Sequence, residues 1–175
     1  MIPSNSTVLR KLYNKSLTRV GIEAIRVGHY IRTIDLETGD YRMSKVISIV
    51  KLTLPKYEIT TSNFDTIACS SNCKFMCLDG MVVPWSPTMS IDHTTRLVKR
   101  DASKVLTPFV KSAKLVGSPL VFYDLIVESE EPQAVLVDGY AKIFTTRIVI
   151  KNGKEKEETA TDSLPMEQSS NEAPN

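Results

Sequence analysis

The sequence predicts a mainly β domain followed by a flexible tail, and three observations lead to this prediction. Short runs rich in β-branched and aromatic residues alternate with turn-forming residues along most of the 175-residue chain. Segments with helical spacing are few and short. The composition, 42% hydrophobic and 24% charged, is that of a globular chain that can bury one core.

The first predicted element is a β-hairpin. Residues 26–34 alternate around Gly28, residues 41–50 form a second strand-like run, and the turn-forming residues 37–40 lie between them. The same pattern predicts further strands at 57–61, 66–69, 74–77, 81–83, 120–128, 134–137 and 145–150. Residues 17–25 show weak helical spacing that Gly21 interrupts, and residues 101–104 are long enough only for a turn.

The last 25 residues differ from the rest in composition and charge. Residues 151–175 contain three lysines and six acidic residues, for a net charge of −3, so the body carries +5 of the total of +2. Only Leu164 and Met166 are large apolar residues there, which is too little burial to offset the entropy of ordering. We therefore expect one domain over residues 1–150 and a flexible acidic tail over residues 151–175.

Composition also limits the location and partners of the protein. A net charge near zero argues against nucleic acid as a partner. No stretch approaches the ~20 apolar residues of a membrane span, and the N-terminus lacks the features of a secretory signal. Three cysteines within nine residues favour a reducing compartment over a disulfide framework. We expect a cytoplasmic protein that does not bind membranes.

Several segments match a known series of motifs in order. Residues 5–9 form a first short strand, and residues 25–35 match the pattern l-x-v-G-D-x-v-x-t-x-d, with His29 in place of the Asp. Residues 67–80 match i-x-c-T-x-x-H-k-f-l-x-x-d-G, with Ser70 in place of the Thr and Cys73 in place of the His.

The later segments complete the series. Residues 121–128 match V-Y-D-L-x-V-e, which includes Asp124, and residues 134–144 follow where the series ends in His-Asn, a pair that falls on Ile143 and Phe144. In this order the segments resemble the Hint fold, which inteins share with the autoprocessing domain of hedgehog proteins. The resemblance covers residues 5–144 and implies a compact all-β horseshoe of two hairpin-rich halves.

The resemblance also implies a chemistry for which three groups are missing. Self-processing begins with a Cys or Ser at the first position of the domain, which falls at about Ile2, and the sequence places only Met1 before it. Cys73 replaces the histidine that acts in acid–base catalysis, and a thiol with a reference pKa of about 8.5 is a poor substitute for imidazole. Phe144 replaces the asparagine that cyclises. We therefore expect no catalytic residues, although Ser70, Cys73 and Asp124 occupy family-equivalent positions.

The cysteines suggest a second interpretation. The spacing of Cys69, Cys73 and Cys77 would align three thiolates on one face of a helix, with His93 or His29 as a fourth zinc ligand. In strands, Cys69 and Cys77 would instead be small apolar core residues. We favour the strand interpretation and expect no metal and no cofactor.

These observations together favour a non-catalytic, degenerate Hint-like domain that acts as a structural or interaction protein with protein partners. The setting we expect is a phage or virus assembly, in the host cytoplasm or the virion. The alternative is residual intein-like autoproteolysis or splicing through Cys73 or Cys69, supported by Ser70 and Asp124. The oligomeric state and the identity of the partner are left open.

Overall fold

A computed structural model describes residues 1–13, 16–79, 81–92, 95–101, 104–129, 133–144, 146–151 and 154–159. Apart from one 3₁₀ turn at Ile22–Ala24, the regular structure in these residues is β-sheet, which confirms the predicted mainly β class. The strands are β1 (Ile2–Pro3), β2 (Thr7–Lys11), β3 (Leu17–Gly21), β4 (Tyr30–Asp35), β5 (Tyr41–Thr61), β6 (Thr66–Cys69), β7 (Lys74–Asp79), β8 (Met81–Trp85), β9 (Lys99–Asp101), β10 (Lys104–Leu106), β11 (Val110–Glu128), β12 (Gln133–Val137), β13 (Tyr140–Ile143), β14 (Thr146–Lys151) and β15 (Lys154–Thr159).

The predicted first hairpin is confirmed as β4 and β5. The two strands pair antiparallel from Tyr30 opposite Lys45 to Ile34 opposite Tyr41. The Asp35 carboxylate fixes the turn by accepting hydrogen bonds from the backbone N–H groups of Glu37 (2.9 Å) and Thr38 (3.1 Å). This is the local use of aspartate that makes it frequent in turns. Residues 17–25, whose sequence shows weak helical spacing, form strand β3 followed by the 3₁₀ turn.

Two long strands form the centre of the fold. β5 continues without a break through residues predicted as a linker between two strands, and β11 begins ten residues before its predicted start. They pair antiparallel along most of their length, with Pro55 directly opposite Pro119 and a register shift between Leu115 and Pro119. Proline donates no hydrogen bond to a ladder, so it normally argues against a strand. Here the irregular register accommodates both prolines.

The core consists of three apolar clusters, and two of them contain residues at positions of the motif series. The first cluster joins β1, β2, β4, β5, β11 and β12, and it contains Ile2 and Phe144. The second cluster contains Cys69, Cys73 and Cys77, together with Phe75 and Trp85. The third packs Ile34 and Met76 against β12 and β13.

Strand pairing continues beyond the predicted end of the domain. β14 pairs with β11 in parallel, and β15 returns antiparallel to β14 as far as Thr159. Residues 160–175 lie outside the described residues, so the division at residue 150 stays a prediction. Within the described part of the chain, no helix has the length and apolar character needed to cross a membrane.

Candidate functional site

The fold brings the two ends of the motif series together. β1 pairs with β11 so that Ile2 lies opposite Tyr123, one residue before Asp124. The amino group of Met1 is 3.8 Å from Asp124 Oδ1. Residue 144 follows β13, and its side chain packs in the same apolar cluster as Ile2. The positions that the motif series assigns to the nucleophile and the terminal asparagine therefore belong to one apolar cluster.

Apolar side chains occupy both of these positions. Ile2 is 3% exposed and Phe144 is 8% exposed, and they pack with core residues such as Val8 and Leu125. The backbone N–H of Phe144 donates to the carbonyl of Gln133 at 3.3 Å, which ties the residue to β12. The site that would hold the reacting groups is thus part of the hydrophobic core.

Ser70 and Cys73 lie in the turn between β6 and β7. Both side chains are fully buried, and the Cys73 N–H donates to the Ser70 carbonyl at 3.1 Å. The Ser70 hydroxyl makes no hydrogen bond to any described residue. A buried hydroxyl without a partner costs stability, so the Ser70 hydroxyl does not help to stabilise the fold.

The cysteines are confirmed as core residues of strands and a turn. Cys69 ends β6, Cys77 lies within β7, and all three cysteines are buried as free thiols. The pKa of the Cys69 thiol is raised to about 12, mainly by burial and also by the neighbouring Cys73 thiol, whereas Lys142 and the amino terminus act in the opposite direction. Cys69 is therefore a protonated thiol at neutral pH.

Lys142 is a residue that the sequence analysis missed. It lies in β13, two residues before Phe144, and it is only 2% exposed. Its Nζ donates to the Ala68 carbonyl at 3.3 Å and lies 5.2 Å from the centre of the Phe75 ring. A lysine is rarely buried without an anionic partner. The sequence does contain one sign of this burial, because Lys142 is a single basic residue within the otherwise apolar strand β13.

The described residues contain no group of three or more His, Cys, Asp or Glu that could hold a metal ion. His93, the first candidate for a fourth zinc ligand, lies outside the described residues. The Nδ1 atom of His29 accepts a hydrogen bond from the backbone N–H of Arg26 at 3.1 Å. Burial lowers the pKa of His29, and Arg10 and Arg26 lower it further.

Asp65, Lys99 and Tyr140 form a polar cluster at the start of β13. Lys99 Nζ (2.7 Å) and the Tyr140 hydroxyl (2.5 Å) both donate to Asp65 Oδ2. These two hydrogen bonds hold the pKa of Asp65 below its ordinary value, while burial and the Asp65 hydrogen bond raise that of Tyr140. The three side chains border an open cavity of about 220 Å³. They form a fixed structural network, and the sequence alone gave no indication of it.

Comparison with solved structures identifies the architecture. The chain is similar to a bacterial intein-like domain from Clostridium thermocellum, with a TM-score of 0.58 and 16% identity over 82% of this chain and 99% of that one. It is also similar to a DnaB intein from Synechocystis sp. PCC 6803, with a TM-score of 0.64 and 18% identity over 82% and 96% of the two chains. An intein from a hyperthermophile gives a TM-score of 0.65 and 11% identity over 82% and 98%.

No protein-family model matches the chain, and no curated protein is similar to it in sequence. The likeness to the three structures is one of fold, since their identities to this chain are between 11% and 18%. It nevertheless spans nearly the whole of each intein structure and most of this chain. The resemblance predicted from the motif series is confirmed at this level, and the chain therefore has the Hint fold of inteins.

Proposed function

We propose that this chain is a Hint-fold domain that does not process itself and that acts as a structural or protein-interaction module. The observation that supports the proposal is the packing of Ile2 and Phe144 in one apolar cluster, at the positions of the nucleophile and the terminal asparagine. Both side chains pack in the core, at the positions where a self-processing domain would carry its reactive groups. Each step of the chemistry then lacks its reactive group.

The first step is an attack on the preceding carbonyl by a hydroxyl or thiol. Neither Met1 nor Ile2 carries one. The nearest hydroxyls in sequence belong to Ser4 and Ser6, and the backbone at both residues is fixed: the Ser4 N–H donates to Val121 at 2.9 Å and the Ser6 N–H to Pro3 at 3.0 Å. These bonds hold the two serines in a turn after β1, which is not a position at the start of the domain.

The second step needs a group that moves a proton at neutral pH. Cys73 is fully buried at that position, and a thiol moves protons near neutral pH less well than the imidazole it replaces. General acid–base catalysis is most effective when the pKa of the catalytic group lies near the working pH. The third step, cyclisation of an asparagine side chain, has no amide at Phe144.

Residual thiol chemistry is the second candidate function, and one observation favours it. Lys142 and the amino terminus both act on Cys69 in the direction that stabilises its thiolate. A positive neighbour is what activates catalytic cysteines in general. Burial outweighs both charges here, so the net change in the Cys69 pKa is upward.

Intact-mass measurement separates the two candidates. The purified chain is held for days at neutral pH with and without a strong external thiol, beside an active mini-intein as positive control. We expect a single mass of 19.5 kDa under both conditions. A fragment that ends near Phe144 or near Ser70 would establish autoproteolysis instead.

Exposed apolar side chains on the long β5–β11 pair support the interaction role. Leu52 on β5, and Leu115 and Val116 on β11, are exposed large hydrophobic residues. Exposed apolar surface can mark a protein-binding site, and Leu115 and Val116 are consecutive along β11. A tagged wild-type chain is expected to retain a partner that a Leu115→Ser, Val116→Ser variant loses, while Lys11→Ser, at an exposed position on β2, retains it. Equal retention by all three proteins would contradict a binding role for this surface.

A phage or virus assembly is the setting we propose for this module. Adjacent capsid or tail genes in the source genome would support this setting. Adjacent nuclease or polymerase fragments would instead indicate a relic of an intein.

A further inference from the structure

An open cavity of about 160 Å³ is lined by three arginines that come from three different strands. Arg19 lies on β3, Arg32 on β4 and Arg100 on β9. Asp138, in the turn between β12 and β13, and the ring of Tyr41 also line it. Because Arg100 is far in sequence from Arg19 and Arg32, the fold itself brings its guanidinium group to the other two.

Two of these guanidinium groups share one aromatic ring. The Arg32 guanidinium carbon is 3.6 Å from the centre of the Tyr41 ring, and that of Arg100 is 5.2 Å from the same centre. Arg100 is held further by a hydrogen bond of 3.1 Å from Nη2 to the Gly39 carbonyl. The buried Nε of Arg100 makes no hydrogen bond to any described residue. The Arg100 guanidinium therefore keeps one donor without a partner among the described residues.

The charge at the cavity is not balanced by the described part of the chain. No ion pair to a carboxylate is found there for Arg19, Arg32 or Arg100. Asp138 is the one acidic residue that lines the cavity, and its Oδ1 accepts hydrogen bonds from the backbone N–H (2.9 Å) and the hydroxyl (2.8 Å) of Thr7. Three positive charges thus face one carboxylate that is already bonded elsewhere. Like charges held close together repel, and an anion between them removes this repulsion.

We infer that this cavity binds a phosphate-type oxyanion. Guanidinium groups present planar pairs of N–H donors that match the oxygen atoms of phosphate, and such charge-assisted bonds are the strong ones. The Tyr41 ring holds the Arg32 guanidinium at the cavity by a cation–π contact. The site therefore recognises the phosphate group, whether this is free inorganic phosphate or the phosphate of a small monoester. This inference does not depend on the absence of self-processing.

Calorimetric titration tests the site. Wild-type protein is titrated with inorganic phosphate and, separately, with glycerol 3-phosphate, at a sodium chloride concentration high enough to screen exposed charges. The Arg19→Gln and Arg32→Gln variants remove one donor group each. Arg96→Gln is the matched control, because Arg96 also stacks on an aromatic ring, at 3.9 Å from the centre of Phe109, but lies outside the cavity.

We expect phosphate to bind the wild-type protein and the Arg96→Gln variant equally, and to bind Arg19→Gln and Arg32→Gln about tenfold more weakly, since one charge-assisted bond is worth about that factor. Tighter binding of glycerol 3-phosphate would identify a monoester as the ligand, and equal or weaker binding would identify inorganic phosphate. The phosphate-induced rise in melting temperature gives a second readout if a variant is less stable. Absence of binding to the wild-type protein, or equal binding to all four proteins, would overturn the inference.

Discussion

At the scale of single residues, the motif positions were predictable because they depend on local sequence. Ser70, Cys73 and Asp124 lie where the motif series places them, in the turn after β6 and within β11. Lys142 and the network of Asp65, Lys99 and Tyr140 were not predicted. Their partners are 34 to 75 residues away in sequence, and nothing local indicates such a contact.

The burial of the cysteines leads to a prediction about thiol reactivity. Only the thiolate reacts quickly with a disulfide reagent, and all three thiols are buried, with the pKa of Cys69 raised to about 12. We expect no thiol of the native protein to react at pH 8 on the timescale of minutes, and all three to react in urea. Fast titration of even one thiol in the native protein would show that a cysteine is accessible and activated.

The turn between β12 and β13 requires glycine at position 139. Gly139 has a φ of +90°, and an added Cβ would lie 3.2 Å from the Arg100 carbonyl oxygen. Gly139→Ala is therefore expected to lower the free energy of unfolding by about 1–3 kcal/mol. Gly21→Ala is the control, because Gly21 has a φ of −60° and open space around it. Chemical denaturation measures both, and equal stability of the two variants would contradict the strained turn.

The Asp65 network predicts how stability changes with pH. Because hydrogen bonds from Lys99 and Tyr140 lower the Asp65 pKa in the folded state, the carboxylate stabilises the fold above its unfolded pKa, and this stabilisation is lost as the pH falls through the folded pKa. We expect Asp65→Asn to be less stable than wild type at pH 7, with a difference that narrows as the pH falls below about 4, the ordinary pKa of aspartate. Asp40→Asn, at an exposed position, controls for removal of a carboxylate. A difference that does not vary with pH would argue against the network.

At the scale of elements, short strands and the first hairpin were predictable because alternation and turn residues are local signals. The full length of β5 and β11 was not, since the pairing of Pro55 with Pro119 joins residues 64 positions apart. A proline in isolation predicts a break, and only the partner strand shows that the ladder tolerates it. The same limit applies to β1, which is two residues long and is defined by its pairing with β11.

The long β5–β11 pair predicts two very different effects of mutation within one strand. Phe122 is fully buried on β11, opposite Leu52, whereas Leu115 on the same strand is 57% exposed. Phe122→Ala is expected to cost about 3–5 kcal/mol of unfolding free energy because it leaves a cavity, and Leu115→Ala less than about 0.5 kcal/mol. Urea denaturation of the two variants checks this. Similar losses would show that the strand is not placed as described.

At the scale of the whole molecule, the Hint fold was predictable from the order of the motifs. No single motif is specific enough to predict it alone. The packing of Ile2 against the cluster that contains Phe144 was not predictable, since it joins the two ends of the domain. The shared cluster shows that Ile2 and Phe144 both serve as core residues. We propose that packing in the first cluster takes the place of reactive groups at Ile2 and Phe144, whereas the third substituted position, Cys73, packs in the second cluster.

A release assay tests this claim most directly. A folded reporter is attached ahead of Met1 through a flexible linker, and the fusion is incubated with a strong thiol and with hydroxylamine, beside an active intein that carries the same reporter. Because no hydroxyl or thiol is present at Met1 or Ile2, no ester or thioester forms for either reagent to cleave. We predict one intact mass for this fusion and complete release from the active intein, and release of the reporter from this chain would contradict the account.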